Sequence, residues 1–139
     1  MDPFSLTLSV ATVISMTGSV LSTCYTYGCA VAGASEEQNN LLGELTNLCG
    51  VLAGLKAMLE AGGMSKPHMS TMSETLEQCL ATLKGLEVLL EKSMASNSGA
   101  GKALKRMMWP LKSKDIVPIL AKLERQKSTF TNIMVQDSQ

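Results

Sequence analysis

No Asp, Glu, Lys, Arg or His occurs anywhere from Pro3 through Ser35. A solvated helix or strand ordinarily carries charge on its outer face, so an uncharged run of this length restricts the fates open to it. A cleaved secretory leader carries a positive n-region, and none is present. A membrane-crossing helix needs about 20 predominantly apolar residues. The run has the length but is diluted by hydroxyls: Ser5, Thr7, Ser9, Thr12, Ser15, Thr17, Ser19, Ser22, Thr23 and Thr26. Leu6, Val10, Val13, Ile14, Val20, Leu21 and Cys24 recur at helical steps. The β-branched content leaves a strand reading open locally, but length favours a helix over about 3–28, with Asp2 as cap and Pro3 in the first turn.

Small residues recur at four-residue steps on this helix: Ala11, Ser15 and Ser19 on one row, Gly18 and Ser22 on a second, Gly28 and Ala32 on a third. Such rows let helices approach closely, in bundles or in membranes. Two expectations follow. The segment is either the central, most enclosed helix of a soluble bundle, or an element able to enter a homo-oligomer or a membrane.

The rest of the chain reads as further helices. Ser35 followed by Glu36 and Glu37 is a cap with acids in the first turn. Leu41, Leu42, Leu45, Leu48, Cys49, Leu52, Leu55, Met58 and Leu59 form an apolar stripe that stops at Gly62-Gly63, with Lys66-Pro67-His68 completing the loop. Ser70 or Ser73 can cap a third helix, whose stripe is Met72, Leu76, Cys79, Leu80, Leu83, Leu86, Leu89 and Leu90. Ser96 through Gly101 reads as a flexible connection. Lys102 to Trp109 predicts a short basic helix ended by Pro110. Trp109 serves there as a core anchor or as an interfacial residue. Ser113 and Asp115 open the last helix, whose apolar face is Ile116, Ile119, Leu120, Leu123, Phe130, Ile133 and Met134. Pro118 is tolerated only in a first turn, so the hydrogen-bonded interior is expected to begin near it, and residues 136–139 to fray or to begin a linker. Four amphipathic segments predict an all-α, antiparallel helical bundle of four main helices plus the short basic one, in a single domain over residues 1–139. Its predicted core includes Leu45, Leu52, Leu80, Leu83 and Leu120.

With aromatics at 4%, the core must be aliphatic, and the ten Met residues suit either gap-filling or an adaptable surface. Formal charge is zero but polarised, −5 over residues 1–99 and +5 over residues 100–139. The basic part is expected to face the acidic part, a partner or anionic lipid, through Lys102, Lys105, Arg106, Lys112 and Lys114. Without a dense Arg-rich patch interleaved with aromatics, nucleic acid is not an expected partner. Cys24, Cys29, Cys49 and Cys79 form no C-x-x-C pair, and His68 is the single histidine, so zinc-site spacing is absent. The cysteines read better as buried apolar residues of a reducing compartment than as a disulfide framework. No phosphate-binding Gly-rich loop is present, since Gly99-Ala100-Gly101-Lys102 is too short, and His68 has no evident acid or nucleophile beside it in sequence. The expectation is a non-enzymatic chain without cofactor.

Three stretches carry a resemblance to a known family. Met1-Asp2-Pro3-Phe4-Ser5-Leu6-Thr7, followed by a Val/Ala/Ser-rich run, resembles the start of many fungal NLR-like (STAND) proteins. Lys105-Arg106-Met107-Met108-Trp109-Pro110-Leu111-Lys112 is similar to an L-x-W-P-F/L-K element of the same domain, and Ile119 through Ser128 to its closing helix. The resemblance is to the HeLo-like group of N-terminal domains. It implies a helical bundle placed ahead of a nucleotide-binding oligomerisation domain, in the cytoplasm, acting in regulated cell death by self-assembly and by reaching the plasma membrane through its first helix. Basic residues often seen after the first hydrophobic run are absent, since Tyr25 to Ala34 carries no Lys or Arg. The nucleotide-binding domain is also absent, so the chain is read as part of a longer protein or as a stand-alone homologue. The small-residue rows make Ala11, Ser15, Gly18, Ser19 and Ser22 the candidate site for assembly or membrane contact, with the five basic residues above as a contact patch. A scaffold that contacts proteins only, or a bundle holding a small apolar ligand between its helices, are the competing expectations.

Overall fold

The computed structural model describes residues 3–28, 36–62, 64–95 and 113–138. They form four helices: α1 (Pro3–Gly28), α2 (Glu36–Ala61), α3 (Lys66–Ala95) and α4 (Ser113–Asp137), with no strand among the described residues. Each helix buries one stripe at steps of three and four. On α1 the stripe is Leu6, Val10, Val13, Thr17, Val20 and Cys24; on α2 it is Leu41, Leu45, Leu48, Leu52, Leu55 and Leu59. Met69, Met72, Leu76, Cys79, Leu83, Leu86 and Leu90 supply α3, and Ile116, Leu123, Phe130 and Ile133 supply α4. Thr17 belongs in this core because its Oγ1 donates to the Val13 carbonyl at 2.7 Å, which removes the cost of an unpaired hydroxyl.

Each helix packs against two others: α1 on α2 and α3, α4 on α2 and α3. The diagonal pairs are therefore α1/α4 and α2/α3. Consecutive helices alternate in direction, yet the two seams that join the halves are parallel. Ser9 and Val13 share a groove with Ser73 and Glu77, and Asn40 and Glu44 share one with Leu120 and Glu124. The short linkage between α2 and α3 thus crosses the end of the bundle diagonally. Gly62 makes this turn possible with φ +78°, its N–H donating to the Leu59 carbonyl at 3.1 Å, as a left-handed helix cap does.

Several expectations are corrected here. Leu45, Leu52 and Leu83 are fully buried, but Leu80 and Leu120 are only half-buried, flanking the core at the helix seams. The third helix begins at Lys66, with Pro67 and His68 in its first turn, so Ser70 and Ser73 lie inside it rather than capping it. The last helix begins at Ser113 and carries Pro118 in its interior at an exposed position, where the missing proline N–H leaves the Lys114 carbonyl without its usual intrahelical donor. Gln136 and Asp137 are helical rather than frayed, and Asp137 is held by contacts to α3. The short basic helix, Trp109 and Cys29 lie outside the described residues.

Candidate interaction surface

With its buried stripe set, α1 has a defined outer face: Phe4, Leu8, Thr12, Ser15, Gly18, Ser19, Ser22 and Tyr25. Phe4 is 73% exposed and Leu8 55%. Among the described residues α1 is not the enclosed centre of the bundle, because each of the four helices touches two neighbours, and this corrects the first of the two expectations for it. The first two small-residue rows are correspondingly on the outside, and the third, Gly28 and Ala32, falls outside the residues whose side chains are described. Ser15, Gly18, Ser19 and Ser22 are exposed and Ala11 is half-buried. A Cβ placed on Gly18 would meet nothing within 4 Å, so no contact inside the chain requires glycine there.

Hydroxyls along α1 turn back onto their own backbone. Ser9 donates to the Ser5 carbonyl at 3.1 Å, Thr12 to Leu8 at 3.0 Å and Thr23 to Ser19 at 3.1 Å. A hydroxyl paired in this way loses less on leaving water than a free one. The outer face of α1 is therefore uncharged along its whole length, and part of its polarity is internally satisfied.

The neighbouring α2 extends this character. Gly43, Gly50, Ala53, Gly54 and Ala57 are exposed, and a Cβ on any of the three glycines would meet nothing within 4 Å. Its Glu44 is turned toward α4, where Lys127 Nζ lies 2.8 Å from Glu44 Oε1. The segments Phe4–Tyr25 and Gln38–Ala61 are both long and apolar enough to cross a membrane, a criterion that a core helix of a soluble bundle also meets.

Of the basic contact patch, Lys114 is exposed near the start of α4, and Lys102, Lys105, Arg106 and Lys112 lie outside the described residues. The five α1 residues therefore share one helix, and Lys114 stands on α4, which does not pack against α1.

A second polar constellation lies at the diagonal turn. His68 Nδ1 donates to Asp137 Oδ1 at 2.6 Å, and the Ser65 backbone N–H donates to the same oxygen at 3.0 Å. These two hydrogen bonds, with that from His68 the larger influence, hold the Asp137 carboxyl below its usual titration range. The acid that His68 lacked in sequence is thus supplied from the far end of the chain. Cys24, Cys49 and Cys79 are free thiols, and burial pushes Cys24 and Cys79 up to about 12, away from thiolate chemistry. Among the described residues no group of three or more His, Cys, Asp or Glu is placed to hold a metal ion.

No protein-family model, curated protein or solved structure matches the chain.

Proposed function

We propose that the domain is a non-enzymatic effector or signalling module that self-assembles through the outer face of α1, in the manner of the N-terminal domains of fungal NLR-like proteins. The observation that carries this reading is the absence of charge over the entire exposed face of α1, with Phe4 and Leu8 outermost. A helix that only had to cover a core gains nothing from excluding Lys and Glu from its solvated side. One that must meet a like helix or a lipid surface does, because every buried charge there would go unpaired.

In this reading the domain works in the cytoplasm, ahead of a nucleotide-binding domain where the protein is longer, and α1 reaches the plasma membrane on activation. Anionic lipid is a second partner of the assembled form. The competing reading, a scaffold that contacts only proteins, is supported by the same face. It differs in having no lipid response.

Ser15 and Ser19 are exposed, so Ser15→Lys and Ser19→Lys place charge on the face without touching the core. Solution mass with and without anionic vesicles, together with dye leakage, tests the reading. The parent is expected to assemble and the variants to remain monomeric with unchanged circular dichroism. Variants that assemble and leak as well as the parent would end the proposal. Assembly without leakage would favour the protein-only scaffold.

A further inference from the structure

The outer face of α1 continues onto α2. There Asn40, Glu44 and Asn47 line the groove toward α4. A different row, Thr46, Gly50, Ala53 and Ala57, recurs at steps of four, three and four, and all four residues are exposed. Thr46 stands two residues after Glu44, about 200° round the helix, which turns its row away from α4 and toward the flank beside α1. The first helix is divided in the same way. Ser9 and Thr12 line the groove toward α3. Gly18 comes about two and a half turns after Ser9, on the opposite side, and Phe4 and Tyr25 share that side.

The two rows form one uncharged face. Helix α1 carries no charge, and α2 carries none from Leu45 through Leu55. Lys56 and Glu60, at the edge toward Gly62, are joined to each other at 3.6 Å. Such a face gives a charged partner or an anionic surface nothing to read, and two copies of it do not repel. Size separates one helix from two. Each has 26 residues, so it is about 39 Å long, and packed helices lie about 8–10 Å apart. A contact through α1 alone buries roughly 800 Å² in total, the scale of a lattice contact, whereas α1 and α2 together bury roughly 1,500 Å², the size of a stable interface. The relief of the face is complementary to itself. Phe4 is 73% exposed and Tyr25 48%, so α1 projects a large side chain near each end. Between Leu8 and Tyr25 it exposes only Thr, Ser and Gly. The α2 row has no side chain larger than threonine, and a Cβ on Gly50 would meet nothing within 4 Å. An antiparallel contact of α1 with α1 would set Phe4 against Tyr25 of the second copy and prop the small residues between them apart.

We infer that this face is covered by a second copy of the chain, with α1 of each copy lying along α2 of the other about a two-fold axis parallel to the helices. The inference rests on the reading of α1 as an assembly face and supplies its counterpart. Rotation about such an axis keeps every residue at its own height. Because α1 begins at the end of the bundle where α2 finishes, Phe4 of one copy comes over the last turns of α2 in the other, where Ala53 and Ala57 leave room for it. The large side chains of α1 thus meet the small row of α2 twice, once on each side of the axis.

Sedimentation equilibrium of the full chain tests the pairing. Gly50→Glu puts a helix-favouring residue where the monomer has open space, so the fold is retained and only α2 gains a charge. It is expected to weaken self-association at least about tenfold, with circular dichroism unchanged. Ala53→Glu, also at an exposed position, replaces it if it fails to fold. Across the pair Ser15 and Gly50 come within about one helical turn of each other, a gap that Lys and Glu side chains can close. Mixing Ser15→Lys protein with Gly50→Glu protein is therefore expected to restore a dimer that neither forms alone. If the α2 variants associate as well as the parent while Ser15→Lys disperses, this inference is overturned and the α1 reading stands. A mixture that stays monomeric would overturn it too, because α1 would then not face α2. So would loss of binding to phosphatidylcholine vesicles at unchanged solution mass, which would give the face to lipid. A parent that is monomeric throughout would sink the α1 reading and this inference together.

Discussion

His68 and Asp137 are separated by 69 positions in sequence and by 2.6 Å in space, and each supplies what the other's helix lacks. Helix α3 has no acid in its own first turn, and α4 has no base in its last. The Asp137 carboxylate sits at the N-terminus of α3, where negative charge is favoured, and His68 sits at the C-terminus of α4, where a donor is favoured. The pair ties the diagonal turn to the end of the last helix.

Asp137 therefore makes stability depend on acid. Its carboxyl titrates below the ordinary value of 3.8 in the folded chain. The linked stabilisation is fully present above that ordinary value and is lost as pH falls through the lower, folded one. In denaturant titrations carried below pH 5, Asp137→Asn is expected to flatten the acid limb of the stability profile. An unchanged limb would remove Asp137 from it.

Replacing Leu52 or Leu83 by Ala is expected to cost about 2–5 kcal/mol, since both are fully buried. Leu80→Ala, at a half-buried site, is expected to cost clearly less. Chemical denaturation of the three variants ranks them, and equal losses would contradict the observed burial.

Gly50 and Gly54 lie inside α2 with nothing within 4 Å of a substituted Cβ. Gly50→Ala and Gly54→Ala are each expected to stabilise the monomer by roughly 0.5–1 kcal/mol, read as a rise in melting temperature. A fall would mean that the helix does not leave these positions open.

Cys24 and Cys79 are expected to resist iodoacetamide at pH 8 in the native state, because thiols titrating at about 12 hold almost no thiolate there. Of the three described thiols, Cys49 is half-buried and should react first. Denaturation should expose every thiol. Mass spectrometry of tryptic fragments distinguishes the sites, and rapid native labelling of Cys79 would place it outside the core.

The helices were legible because their apolar residues fall at steps of three and four, a pattern local to each segment. The limits of α1 and the end of α2 at Gly62 needed nothing more. Leu80 and Leu120 satisfy the same spacing but stand beside the stripe, and one-dimensional periodicity does not distinguish the centre of a stripe from its edge. Pro67 reads in sequence as a loop residue, but proline suits a first turn equally well, and α3 starts at Lys66. The outward rows of Ala11, Ser15, Gly18, Ser19 and Ser22 were visible as spacing, but which way they face depends on which neighbours α1 has. The Asp137 clamp had no local signal at all. It arises where the diagonal turn brings distant segments side by side.

That diagonal turn also decides how the bundle responds to being pulled. The start of α1, the turn at Gly62 and the end of α4 all lie at one end of the molecule, and α1 and α4 share no contact. Tension between the two described ends does not shear whole helices past one another. It peels α1 away from α2 and α3 one turn at a time, starting at Phe4 and Leu8, so the seam gives way at low force through a succession of small ruptures. The first turn to come loose is the one that carries Phe4, the most exposed of the large apolar side chains among the described residues.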